Sequence, residues 1–279
     1  MSHILIGRRE LDDRRIRRRT HAVKQEIDGY FGTAPKSLTE SVFHRNGKRM
    51  PGLFITGTDT DVGKTHVAAE IARQLTGQGL SVGVYKPVAS GCRWVDGELI
   101  SDDAVALWEA AGRPRTLRDV CPQCFEAALA PPLAARAAGA AVNPGLLRAG
   151  LAVWDGCDFL IVEGVGGLMS PISDEEFVRD LAYDFQLPML VVAANRIGVV
   201  NQTLQTLITA STFREGLELT GVVLNDVTPR NDDCSRDSNY KQLQRHCGPP
   251  VIARVPPVLA HVAFGGTIEG VDWLAAVRE

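Results

Sequence analysis

From Pro51 onward, short apolar runs alternate with amphipathic stretches, and this alternation constrains the fold more than any other feature. Residues 53–56 (LFIT) form a compact apolar run before a glycine-rich turn. In 67–75, Val67, Ala68, Ile71, Ala72 and Leu75 recur at helical spacing. Residues 80–85 are the next expected strand, ending at Lys86-Pro87. The runs at 158–162 (DFLIV) and 188–193 (PMLVVA) are continuously apolar, as expected of strands covered on both faces. Residues 201–214 read as a helix, 219–224 and 251–255 as further strands, and 270–279 as a terminal helix. The expected fold class is α/β, a doubly wound and mostly parallel sheet. Ligands then belong at the carboxyl ends of the strands.

The first strand runs into Gly57-Thr58-Asp59-Thr60-Asp61-Val62-Gly63-Lys64-Thr65, which opens the first helix. Backbone N–H groups in such a turn, together with the helix N-terminus, cradle phosphate oxygens. Gly63 permits close backbone approach. Lys64 is expected to reach the β/γ-phosphates and the Thr65 hydroxyl to ligate Mg²⁺. The strict pattern G-x-x-x-x-G-K-[ST] asks for glycine at position 58, where this chain has Thr58. Strand, loop and helix nevertheless stand in the right order for a P-loop NTPase-like fold.

Charge divides the chain at the same place. Residues 1–50 hold 12 Lys and Arg against 6 Asp and Glu, while the other 229 residues hold 18 against 27. The formal net charge of −3 therefore combines a part at +6 with a part at −9. The expected division is a basic N-terminal extension (1–50), possessing no strand–helix alternation, and a P-loop domain (51–279). Within the extension, 7–19 has the composition of a basic helix and 30–35 is turn-like. It reads as a mobile tail or an over-long start, or as a short basic arm for a partner. No apolar run of about 18 residues or secretory h-region is present, so neither a membrane partner nor export is expected. An acidic domain also gives no reason to expect nucleic acid as a partner. The six cysteines (92, 121, 124, 157, 234 and 247) read as reduced cytoplasmic thiols. Cys121-Pro-Gln-Cys124 lacks a second pair at zinc-finger spacing, so loop and core cysteines are the default and a metal or redox role the alternative.

Four segments, GTDTDVGKT at 57–65, KPVASG at 86–91, VEGVGG at 162–167 and NDVTP at 225–229, together resemble the dethiobiotin synthetases, the ATP-dependent carboxylases of biotin synthesis. Their order and spacing agree with that family over roughly 52–258. The resemblance implies that CO₂ adds to an amine of 7,8-diaminononanoate, that ATP phosphorylates the carbamate, and that the second amine closes the ureido ring with loss of phosphate. Phosphoryl transfer chiefly needs positioning and neutralised oxygens, so a covalent nucleophile is not required.

By that resemblance, Lys86 contacts the carbamate and the transferring phosphoryl group, with Lys64 as the second catalytic cation. Residues Asp61 to His66 hold nucleotide, together with Glu163, Gly164, Val165 and Gly166. His66 as a base is the weaker alternative to packing or solvent exposure. Glu163 follows an apolar strand, where an acid is costly unless it binds something, and matches the family's metal Glu. Asp103 matches the metal Asp, with Asp102 open as a one-residue slip and a helix N-cap pair as the structural alternative for both. Thr65, Asp103 and Glu163 thus form the implied Mg²⁺ set. Asn225 and Asp226 resemble the adenine-reading pair, Pro256, Pro257 and Val258 the stretch lining the nucleotide, and Ser90 the substrate-binding serine. The family often has a glutamate shortly after that stretch, whereas no acid occurs here until Glu269. Gly198, Val199, Val200 and Asn201 resemble the segment whose amides hold the substrate carboxylate across a homodimer interface.

Two other classes share the loop and fold. In a partition-type ATPase switch, a lysine stands where this chain has Asp59. In a cobyrinate-type amidoligase, a glutamine-splitting domain is needed, and about 50 residues after Pro229 leave no room for one.

Overall fold

The structure, a computed structural model, describes residues 44–45, 48–227, 233–256 and 268–277. Most of the extension, including the basic stretch at 7–19, lies outside the described residues, as do Pro257 and Val258. Its described part includes an antiparallel pairing of His44–Arg45 with Lys48–Arg49.

The central sheet has six parallel strands: β1 (Gly52–Gly57), β2 (Val82–Tyr85), β3 (Phe159–Gly167), β4 (Met189–Ala194), β5 (Leu219–Asn225) and β6 (Val251–Val255). They lie in the order β6-β5-β4-β1-β3-β2. The principal helices are α1 (Lys64–Gly77), α2 (Asp102–Ala110), α3 (Val178–Phe185), α4 (Val199–Thr212) and α5 (Arg236–His246). Every residue of β1 and β4 is buried, which explains their unbroken apolar sequence. Successive side chains point to opposite faces. Val192, Ala194 and Val223 accordingly join the larger core with α1, while Val191, Ala193, Val222 and Leu224 pack with Val199, Leu207 and Leu243. Neither neighbour of β1 in the sheet is its successor in sequence, so a topological switch point opens beside its carboxyl end.

The expected strands and helices form with shifted bounds, each with a local cause. The second strand begins at Val82 rather than residue 80, because the Leu80 amide closes α1 by donating to the Leu75 carbonyl (3.2 Å). The fourth helix runs 199–212 rather than 201–214, with Gly198 at its N-cap in the left-handed region (φ +93°). The terminal helix is only Trp273–Ala276, started by Asp272, whose carboxylate accepts from the Ala275 amide (3.0 Å). The 164–167 glycine stretch does not end β3, which continues through it to Gly167. A register shift against β1 and the left-handed Gly166 (φ +62°) kink the strand instead. Two small pairings were not read from sequence: Val88–Ser90 with Gln123–Phe125, parallel, and Arg93–Val95 with Glu98–Ile100, antiparallel. Among the described residues, no helix is long and apolar enough to cross a membrane.

Candidate active site

The loop from β1 to α1 folds back tightly on itself. A Cβ on Gly57 would lie 2.8 Å from the Asp59 carbonyl oxygen, so the strand end tolerates no side chain there. Lys64, buried, donates from Nζ to that carbonyl (3.0 Å). Gly63 has φ +89°, and a Cβ on it would stand 2.0 Å from Asn225 Nδ2, which donates to the Val62 carbonyl (3.0 Å). Glycine is therefore required twice at position 63, by backbone conformation and by the close approach of Asn225. Val62 is buried, Asp61 exposed with φ +57°, and His66 half-buried.

Four side chains from four separated segments meet beside this loop. Lys86 follows β2, Glu163 lies in β3, Asp103 in the first turn of α2 and Thr65 in the first turn of α1. Lys86 Nζ donates to Glu163 Oε1 (2.6 Å) and Asp103 Oδ2 (2.7 Å). Thr65 Oγ1 stands 2.9 Å from both Asp103 Oδ1 and Glu163 Oε1, and its single proton serves one of them at a time. Glu163 is fully buried and Lys86 is 2% exposed. Burial alone lowers an ammonium pKa, but the Glu163 and Asp103 carboxylates outweigh it and hold Lys86 above its ordinary value. Burial likewise raises Asp103, yet Lys86 and the Thr65 hydroxyl bring it below the usual carboxylate range. Lys64 shifts the other way: burial dominates and lowers it, despite attraction from Glu163.

Of the two adjacent acids, Asp103 faces this cluster. Asp102 points outward and pairs with Arg93 (2.7 Å). Neither is the N-cap, contrary to the structural alternative weighed above. Ser101 takes that place, its hydroxyl accepting from the Ala104 amide (3.3 Å), so both acids fall in the first turn, where they favour the helix dipole.

The donor set fits Mg²⁺. Among the described residues, no three His, Cys, Asp or Glu side chains are grouped to hold a metal by themselves. Mg²⁺ does not need that, since it takes one or two carboxylates and completes its octahedron with water and phosphate oxygens. Glu163 Oε2 is buried without a hydrogen-bond partner, and such an atom is costly unless a cation or donor arrives.

The other expected residues fall into separate places. Ser90, half-buried, ends the small strand Val88–Ser90. Gly164 and Val165 stand within β3 beyond Glu163. Gly198 and Asn201 are exposed at the start of α4, with Val199 buried and Val200 half-buried, and the adjacent Ile197 is 79% exposed. Pro256 is exposed after β6. Asp226 is buried in a polar knot, accepting from Asn195 Nδ2 and from Arg254 Nε (3.2 Å) and Nη2 (3.1 Å). Asn239 Nδ2 in turn donates to Asn195 Oδ1 (3.0 Å). Asn195, Asn239 and Arg254 were not singled out from sequence. The available signal was Asn195 itself, a polar residue closing the apolar run PMLVVAA.

The family model described as "AAA domain" matches residues 51–262. The ATP-dependent dethiobiotin synthetase BioD of Rhodopirellula baltica is 42% identical over 226 residues, covering 76% of this chain and 87% of that protein. The protein of the same name from Anoxybacillus flavithermus is 34% identical over 210 residues, 74% of this chain and 92% of that one. A solved signal recognition particle receptor FtsY from Elizabethkingia anophelis, 16% identical, covers 96% of this chain and 76% of its own with a TM-score of 0.45. Such identity and coverage among the curated relatives show that the chain belongs to the ATP-dependent dethiobiotin synthetase family.

Proposed function

We propose that this protein carboxylates and cyclises 7,8-diaminononanoate with CO₂ and ATP to give dethiobiotin, ADP and phosphate. The observation that carries the reading is the meeting of Lys86, Thr65, Asp103 and Glu163 at the switch point, next to a loop built for phosphate. CO₂ first joins one amine as a carbamate, whose oxygen then takes the γ-phosphoryl group of ATP. The second amine attacks the carbamoyl carbon, and phosphate leaves as the ring closes. Charge accumulates on oxygens throughout, so fixed cations and N–H groups are what the reaction demands. Lys64 and the amides of Asp61 to Thr65 hold the nucleotide phosphates, and Lys86 neutralises the carbamate and the phosphoryl group in transit. Thr65, Asp103 and Glu163 hold Mg²⁺, which when bound draws negative charge off the phosphate oxygens.

Asn225 and Asp226 flank the base, with Pro256, Pro257 and Val258 beyond them; Asn225 also ties the nucleotide loop to β5 through Val62. Ser90 orients the diamine. Gly198 to Asn201 capture the substrate carboxylate of a second copy in a homodimer, a reading supported by the exposed Gly198 and Ile197 and by the lack of a side-chain cap on Gly198. All six cysteines are free thiols, which supports a cytoplasmic setting. We read 51–279 as the ligase domain and 1–50 as an extension to it. The curated relatives favour this ligase over a nucleotide switch.

The test is incubation of the purified chain with diaminononanoate, bicarbonate, Mg²⁺ and ATP. ADP release that requires the diamine supports the reading. ADP release indifferent to the diamine favours the switch, and no release by folded protein refutes the ligase.

A further inference from the structure

Three cysteines cluster where the segment bearing Lys86 is pinned in place. Cys121 and Cys124 bring their sulfurs within 3.6 Å, and the Cys92 amide donates to the carbonyl of Phe125, the residue after Cys124 (3.0 Å). Cys121 and Cys124 line a cavity of about 320 Å³ with Leu99, Ile100, Ser101 and Leu117. Cys124 is half-buried and Cys121 buried, so Cys124 is the more accessible residue of the pair. The three thiols are not grouped as metal ligands. Their backbone ties run directly into the candidate active site. The Lys86 amide donates to the carbonyl of Val120, the residue before Cys121 (2.8 Å). Cys124 pairs in register with Ala89, between Val88–Gln123 and Ser90–Phe125. Cys124 also lines the same cavity as Ser101, which caps the helix carrying Asp103.

We propose that Cys121 and Cys124 are a thiol–disulfide exchange site, at which a low-molecular-weight disulfide oxidises the pair and thereby shifts the segment that holds Lys86. The Cys124 sulfur loses its proton and attacks one sulfur of the disulfide RSSR, whose S–S bond breaks to release RS⁻. Cys121 then loses its proton and attacks the Cys124 sulfur of the mixed disulfide, expelling the second RS⁻. The cysteines give up two electrons and two protons, and the reagent leaves as two RSH. In the reduced protein a hydrogen bond with Cys121, reinforced by burial, pushes the Cys124 thiol up to about 12, so exchange is slow at neutral pH and quickens as pH rises. Closing the bond shortens the sulfur separation by about 1.5 Å. That contraction acts on the chain on either side of the 121–124 turn, where Val120 anchors Lys86 and residues 123–125 pair with 88–90.

The experiment exposes the full chain to excess bis(2-hydroxyethyl) disulfide, caps remaining thiols with iodoacetamide and maps tryptic peptides. Cys121 and Cys124 share one such peptide, 119–136, whereas Cys92 lies in 74–93. The expected product is peptide 119–136 uncapped and lighter by two hydrogen atoms. Diamine-dependent ADP release should fall at least ~10-fold, return with dithiothreitol, and resist the oxidant in Cys124→Ser. Capping of both cysteines, or a cross-link between 74–93 and 119–136, overturns the site. A fully formed disulfide with unchanged turnover overturns its coupling to Lys86. The turnover arm rests on the ligase reading; if reduced protein releases no ADP, that reading fails while the peptide mass still decides the exchange site.

Discussion

Two buried lysines serve one crevice on opposite terms. Lys64 sits on the phosphate loop with a backbone carbonyl as its hydrogen-bond acceptor, and burial lowers its pKa. Lys86 stands at the end of a strand between two carboxylates, and their attraction raises its pKa despite deeper burial. Lys64 is thus a cation held in deficit, awaiting an anion. Lys86 is one already matched, and it stabilises the two carboxylates beside it. A loss of charge at either position should therefore damage turnover alike and stability differently.

The largest expected effect follows from Lys86→Met. Turnover should fall ~10²–10³-fold, as for removal of a preorganised charge. In EDTA-treated protein, the variant leaves Glu163 buried without its ammonium and should lose about 3–5 kcal/mol of unfolding free energy in urea titrations. Lys64→Met should cost a comparable factor in rate while keeping stability within about 1 kcal/mol of the parent, because it removes one hydrogen bond together with a poorly matched buried charge. Equal destabilisation by the two substitutions would erase the distinction drawn here.

Gly63→Ala probes the loop itself, and about 1–3 kcal/mol should be lost to the left-handed backbone and the clash with Asn225. Adding Asn225→Ala should return part of that loss by removing the clash. No recovery in the double variant would mean that backbone strain alone sets the requirement for glycine.

The smallest effect lies in pH. Lys86 has a folded-state pKa above its unfolded 10.5, so its stabilisation is complete below 10.5 and disappears as pH rises through the folded value. The stability gap between metal-free parent and Lys86→Met should narrow above pH 10.5. Lys64 has the opposite sign: its folded pKa is depressed, so its cost is present below that value and fades as pH climbs to 10.5. Any advantage of Lys64→Met should shrink over that alkaline range. Denaturant midpoints measured from pH 7 upward separate the two trends.

The sheet was legible because its strands are covered on both faces. DFLIV and PMLVVA have no alternation to misread, and each became a strand within a residue or so of its expected start. The three-residue strands Val88–Ser90 and Gln123–Phe125 were not legible, since segments so short carry no period and exist only by pairing with each other. The choice between Asp102 and Asp103 shows the same limit in one pair of residues. Adjacent helix positions differ by about 100°, and Ser101 sets where the helix begins, so Asp103 turns toward Lys86 while Asp102 meets Arg93.

By itself, the sequence determined the alternation of elements, the phosphate loop and the residue types that phosphate and Mg²⁺ require, because these depend on local apolar patterning and side-chain chemistry. Only the tertiary structure decided which of those groups meet. Glu163 and Lys86 are 77 positions apart in the chain and Thr65 and Glu163 are 98 apart, yet adjacent parallel strands and the helices that follow them bring all three together. It also decided that the two lysines differ, since charge matching depends on distance through space and sequence records only order along the chain.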